Sequence, residues 1–439
     1  MTHIAFSQER ENVYLLANWN DSENIPPTGD AHYNEVWGFV HNGEEYGVIG
    51  STQGTHIFHL PKDNQIYQAA FVPGAFQGNV IHRDFHDYNG YLYAVCDQGN
   101  SSLQIIDLSN LPESVDVVYD SNELIMRAHN IFIDTTSALL YACGHRTSSM
   151  NYAMSVYSLE EPTDPELLLH FTQVDYVHDA FVRNDTAFLN CATEGLHIYD
   201  FSSPQNPLLL GNLEFYPDQG YNHSGWLTED GLTYVFADET TGMRMKVCDV
   251  SNLPNIEVLA LFNSGTDEQT IPHNQMIRGN YVYVSHYNDG LQIFDIRDRE
   301  NPVRVGFYDT FPEETEFRMK GAWGVYCLLP SERVLVSDRQ TGFYVFEFVP
   351  PPIIYEPGDV IAFPNPFRDE LTIVFDNENE LNFEFILYDV LGRPVKYQPA
   401  QSKNWFRIDT RDLPSGNYIY QLRGTDNKLI EVGKVIKAG

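Results

Sequence analysis

The chain has 439 residues, with 61 Asp and Glu against 26 Lys and Arg, a formal net charge of −35 at pH 7. A field of that sign repels phosphate backbones and anionic lipid, which excludes nucleic-acid and membrane-surface binding as leading functions. No apolar run is long enough to span a bilayer, and 27 Tyr and 27 Phe without a long amphipathic helical pattern point to an all-β chain.

Residues 1–11 open with MTHIAFSQ, which has neither a charged n-region nor a complete apolar h-region. They read as a leader remnant or a disordered segment. Asn12–Trp19 (NVYLLANW) reads as an outer strand. One phrase then recurs: a His or Trp opens an apolar strand, an aromatic strand follows, and a hydrophobic triplet closes on Asp. The lead residues are Trp37, His86, His129, His178, His223, His273 and Trp323, separated by 49, 43, 49, 45, 50 and 50 residues. Such a period of short strands predicts a β-propeller, because one four-stranded blade cannot bury its faces alone. Seven copies predict seven blades over residues 12–349. The fourth strands (PELLLHF, PLLLGNLEF, NIEVLALF, PVRVGFYDTF) begin where proline can start an edge strand. The seventh copy lacks one, since Phe348 runs into Val349-Pro350-Pro351-Pro352. The strand at 12–19 is expected to supply it and close the ring.

A proline-rich linker over 350–358 leads to a second domain, 359–439. From Gly358 onward there are 12 acidic and 10 basic residues, so this part carries about −2 and the propeller about −33 of the total. Its short alternating strands, joined by turns at Asp389–Gly392 and Leu413–Gly416, predict a small Ig-like β-sandwich. The motifs FPNPF (Phe363–Phe367), LYDVLGRPV (Leu387–Val395), DLPSGNYIYQL (Asp412–Leu422) and GKVIK (Gly433–Lys437) resemble the type A C-terminal sorting domain of the Bacteroidetes type IX secretion system. The resemblance implies that residues 359–439 engage that secretion machinery, and that the protein is secreted or attached to the outer-membrane surface.

The propeller also resembles a known group. LQIIDLSNLP, LHIYDFSSPQNP and LQIFDIRDRENP are similar to LVIVD repeats. YVHDAF (Tyr176–Phe181), HSGWLTEDG (His223–Gly231), ADE (Ala237–Glu239), HNQMIRGNYVYVSHYNDGLQIFD (His273–Asp295) and GAWGVY (Gly321–Tyr326) resemble the choice-of-anchor B family. DFHDY at 84–88 departs from that family, where Trp-Arg-Asp is expected and only the charged pair Arg83-Asp84 remains. The resemblance implies architecture and location, and carries no reaction with it.

Innermost strands of a propeller start at one face, so His86, His129, His178, His223 and His273 are expected around the mouth of the central channel. Their next neighbours Asp87, Asn130, Asp179, Ser224 and Asn274 are polar. Loops between second and third strands are expected to bring Asp97, His145, Glu194, Asp238, Glu239, Asp289 and Asp338 to the same face. Two uses compete. The histidines either pin adjacent blades, or they hold a ligand through His86, Asp87, His129, His178, Asp179, His223 and His273. No cofactor is fixed by the sequence. The carboxylates favour calcium or magnesium over zinc, with Asp179, Glu194 and Glu239 as the expected ligands.

Cys96, Cys143 and Cys191 read as buried thiols on separate blades rather than a disulfide framework. No phosphate loop, nucleophile elbow, H-E-x-x-H or C-x-x-C occurs. The leading expectation is a monomeric, non-enzymatic module that binds a protein, glycan or small molecule. A secreted metal-dependent hydrolase or lyase using the same funnel is the alternative.

Overall fold

Each copy of the repeated phrase folds into one antiparallel sheet. The computed structural model describes residues 9–313, 318–351, 360–375, 383–401, 405–424 and 429–438. Among them, Met1–Val349 and Pro350–Gly439 belong to two separate units. The first contains seven sheets, blades I to VII: Tyr33–Pro73, Arg83–Ser121, Asn130–Phe171, Asp179–Leu213, Asn222–Phe262, Asn274–Tyr308 and Ala322–Phe348. Innermost strands touch in ring order, and the strand of blade VII meets that of blade I. The second and third strands are buried along most of their length (Thr233–Asp238 throughout), because a neighbouring blade covers each face. Fourth strands such as Leu208–Leu213 are half exposed at the rim.

The ring closes as expected. Val13–Trp19 pairs antiparallel with Gly342–Phe348, from Val13 opposite Phe348 to Trp19 opposite Phe343. Trp19 then packs on Tyr33, His56 and Phe58 of blade I. The expected leader over 1–11 needs correction at its end. Arg10–Glu11 pairs with Val303–Tyr308 as a fifth strand of blade VI, so the chain crosses from blade VI to VII before residue 13. Residues 1–8, and most of the expected linker (352–358), lie outside the described residues.

Two features of the repeat have structural causes. In all seven blades the fourth strand carries one extra residue against the third: Ala69, Val118, Leu168, Leu210, Leu259, Val305 and, in the closing strand, Leu16. Such bulges bend a strand and increase its twist, here in the outermost strand of every blade. The Asp closing the third strand is a turn residue: Asp107, Asp200, Asp249 and Asp295 each accept the backbone N–H two residues on.

The second unit is a sandwich of a three-stranded sheet and a four-stranded sheet. Phe383–Asp389 and Trp405–Asp409 alternate buried and more exposed side chains. Their buried members join Phe367, Leu371, Ile373, Leu422 and Val435 in one core. Phe367, the last residue of FPNPF, is fully buried, and its N–H is bonded to Ile436 O. Among the described residues, no helix is long and apolar enough to cross a membrane.

Candidate functional site

The innermost strands line the channel with three layers of side chains, of which the second and third are spaced by the two-residue period of a strand. At the mouth, six aromatic rings form a closed circle. Centroids are 4.3 Å apart for His82–His129, 4.1 Å for His129–His178, 4.1 Å for His178–His223, 4.4 Å for His223–His273, 4.3 Å for His273–Trp323 and 5.8 Å for Trp323–His82. His129, His178, His223 and His273 stand where they were expected. His86 does not, and the circle takes His82 instead. In blade II the inner strand pairs without a bulge from Arg83 onward. Arg83 turns sideways to Ser51 O and Phe76 O, so the residue before it faces the channel. In blades V and VII the ring residues His223 and Trp323 are the extra residues of bulges.

Below the circle, Glu35, Asp84, Asn130, Asp179, Ser224 and Asn274 line a small cavity of about 50 Å³. Blade VII contributes Gly324, where a β-carbon would lie 1.9 Å from Glu35 Oε1. Glu35 therefore crosses over the glycine to accept a hydrogen bond from Asn274 Nδ2 of blade VI at 2.7 Å. Asp84 Oδ2 accepts the Ile131 N–H of blade III at 2.7 Å. Three carboxylates are thus enclosed near one another. Burial holds Glu35 and Asp179 well above the usual carboxylate range and Asp84 at about 7, and Asp84 and Asp179 add repulsion on Glu35.

Third in order come Trp37, His86, Phe132, Phe181, Trp226, Met276 and Tyr326. The rings pack edge to face or tilted, including His86 on Trp37 at 4.5 Å and on Phe132 at 5.1 Å. Asp87 accepts the Trp37 indole N–H at 2.8 Å, tying blade II to blade I. His86 therefore belongs to the packed interior of the channel, four residues along the strand from His82, and the half-buried Asp87 follows it.

Polar groups at the mouth are unevenly distributed. His129 Nδ1 meets Asp97 Oδ2 at 2.8 Å. Glu239 lies 3.7 Å from His223 Nε2 and 4.0 Å from His273 Nε2, and accepts the Tyr287 hydroxyl. Arg339 covers Trp323. His178 and His273 donate from Nδ1 to backbone carbonyls of the next blade, His223 O at 3.0 Å and Trp323 O at 2.5 Å. Burial, with the neighbouring imidazoles adding to it, drives His82, His178 and His273 well below the ordinary histidine value, and His223 to about 3. These four imidazoles are neutral at neutral pH.

The three expected cation ligands are not brought together. Asp179 sits in the carboxylate layer and Glu239 at the mouth, while Glu194 accepts the Asp175 N–H at 2.7 Å. His145 bonds Ser155, Asp238 pairs with the buried Lys246, Asp289 with His286, and Asp338 caps the Gln340 and Thr341 amides. Sequence reasoning missed Glu35, Asp84 and His82. It also missed a pocket of about 370 Å³ formed by Asp97, Arg127, Arg146, Asn151, Tyr152 and Tyr176, among others. It adjoins the mouth through Asp97. All five cysteines are buried and free.

Residues 361–438 match the secretion system C-terminal sorting domain, and residues 274–310, spanning blade VI, match the LVIVD repeat. No curated protein matches the chain. Among solved structures it is similar to PorZ, a surface component of the type-IX secretion system of Porphyromonas gingivalis. That similarity covers 92% of this chain at 12% identity and a TM-score of 0.46, and the chain spans 59% of the length of that structure. The β-propeller domain of Myceliophteria thermophila Cps50 (Swd1) is 13% identical, with a TM-score of 0.51 over 77% of this chain and 99% of that one. U3-55K is 8% identical, with a TM-score of 0.54 over 76% and 98%. The last two likenesses show the propeller fold. The chain carries a type IX sorting domain and is secreted or displayed at the cell surface.

Proposed function

We propose that the exported propeller is a binding module that holds a carbohydrate-class ligand at the mouth of its channel. The observation that carries this reading is the pocket of about 370 Å³ beside the imidazole circle. Its volume suits a small ligand. Tyr176 and Tyr152, the latter stacked on His170 at 3.7 Å, contribute aromatic rings to the lining, and Asn151, Asp97, Arg127 and Arg146 offer donors and acceptors for a hydroxyl-rich partner. The two arginines are notable on a chain with only 26 basic residues. Deeper in the channel, carboxylate and aromatic layers fill the space, which leaves the mouth as the accessible end.

An array of bacterial and host polysaccharides tests the reading. Binding should fall at least tenfold in Tyr176→Ala and Arg146→Ala, with the melting temperature of Arg146→Ala unchanged. Binding that is insensitive to both changes would place the ligand elsewhere. The alternative, a metal-dependent hydrolase or lyase, draws support from the grouping of His178, His223 and Glu239, which must first be shown to take a metal.

A further inference from the structure

We propose that the channel mouth binds one divalent transition-metal ion, of the zinc class, through Nε2 of His178, Nε2 of His223 and the carboxylate of Glu239. Among the described residues this is the one group of three or more His, Cys, Asp or Glu whose ligand atoms all lie within 4.8 Å of one another.

Three further features support it. The first is orientation. His178 donates Nδ1–H to His223 O at 3.0 Å, which fixes the tautomer and leaves the Nε2 lone pair available. Metal-bound histidines are held in this way, with the far nitrogen donating to a carbonyl or carboxylate. His273 is fixed likewise by Trp323 O, with Nε2 4.0 Å from Glu239, and borders the group of three. The second is spacing. Ligands about 2.0–2.1 Å from a tetrahedral metal lie about 3.3–3.4 Å apart. The 3.7 Å between His223 Nε2 and Glu239 Oε2 is too long for a hydrogen bond and needs a closure of a few tenths of an ångström to fit that shell. The third is support behind the carboxylate: Tyr287, whose hydroxyl donates to Glu239, is 1% exposed. That bond orients the carboxylate without occupying all its lone pairs.

Donor chemistry selects the metal. Two imidazoles with one carboxylate suit zinc, cobalt or nickel, whereas calcium requires six to eight oxygens. The proposal therefore names a different metal class from the calcium or magnesium expected from sequence.

The proposal shares with the binding reading only the premise that the mouth is accessible. Metal uptake is therefore measured directly, on the full chain after chelator treatment, with Co²⁺ and Zn²⁺ as the probes. One equivalent of Co²⁺ should bind and give the visible absorption band of a four-coordinate site, and Zn²⁺ should displace it. His223→Ala and Glu239→Gln should each weaken Co²⁺ binding at least tenfold. Glu239→Gln keeps the volume and the Tyr287 contact, so it decides the matter if His223→Ala fails to fold. A folded wild-type chain that takes up no stoichiometric metal overturns the proposal, as does a band that persists in Glu239→Gln. Glycan binding by metal-free protein would leave the binding reading intact in either case.

Discussion

Asp84 offers a direct test of the carboxylate layer. It is 4% exposed, and burial raises its carboxyl from 3.8 to about 7, against the opposing pull of the Ile131 and Phe85 N–H groups. A folded-state value above the unfolded one means that the folded chain holds the proton more tightly. The group is therefore neutral and harmless below about pH 4, and its destabilising effect grows as pH rises through about 7. The shift from 3.8 to about 7 corresponds to roughly 4 kcal/mol at full ionisation, an upper bound that relaxation and entering water reduce to about 1–3 kcal/mol. Asparagine keeps the volume and an oxygen acceptor for Ile131. Asp84→Asn should accordingly stabilise the propeller by about 1–3 kcal/mol at pH 8.5 and by little at pH 4. Denaturant unfolding with chelator present, at both pH values, reads the difference. An Asn variant that is less stable than wild type at pH 8.5, or a difference independent of pH, would refute the reasoning and show that the Asp84 charge is compensated.

Removing residues 9–19 should lower the propeller melting temperature more than removing 360–438, because only the first cut strips the fourth strand from blade VII; equal transitions in calorimetry would count against ring closure by that strand. Deleting 360–438 in the native host should leave the propeller in the periplasm, as followed by cell fractionation. Lys246 and Asp238 are both 0% exposed and 2.7 Å apart, so Lys246→Ala should cost about 3–5 kcal/mol by leaving a buried carboxylate unpaired, whereas a surface change such as Arg299→Ala should be near neutral in the same unfolding assay.

The ring was legible in the sequence because each blade repeats one burial pattern, and because the missing fourth strand of blade VII had a counterpart at residues 12–19. The channel was legible only in part. In blades I and II, Trp37 and His86 occupy the aromatic layer, His86 four residues past His82 of the circle, and their aromatic character made them pass for lead residues. The spacing held the warning: His86 to His129 is 43 residues, whereas His82 to His129 is 129 − 82 = 47, closer to the other intervals. That register error hid Glu35 and Asp84, which align with Asp179 once Asn34 and Arg83 are recognised as the residues preceding the polar layer. The three expected cation ligands lie apart for a different reason. Carboxylates at equivalent loop positions share a face but not a direction. Asp238, Asp289 and Asp338 turn back to Lys246, His286 and the Gln340 amide of their own blades, and no periodicity distinguishes them from Glu239, which turns inward.

Function is best sought where the sevenfold pattern breaks. An imidazole repeated around a ring is what blade pinning requires, and His178 and His273 do donate to the neighbouring blade. Pinning uses only Nδ1. It gives no reason for Nε2 of His223 and His273 to converge on Glu239, or for Asp97 to meet His129. Those two carboxylates come from blades V and II alone, so they divide a nearly uniform circle into distinct parts. One gathers nitrogen donors around a carboxylate braced by Tyr287. The other opens into a pocket flanked by Arg127, Arg146 and Tyr176. The polar layer beneath is similarly unequal, with three carboxylates, two amides, a serine and the glycine that makes room for Glu35. A purely structural ring would favour equivalent residues at equivalent positions. The departures at the mouth instead set Asp97, Glu239 and the arginine-flanked pocket at one end of the channel, the end at which we propose a ligand is held.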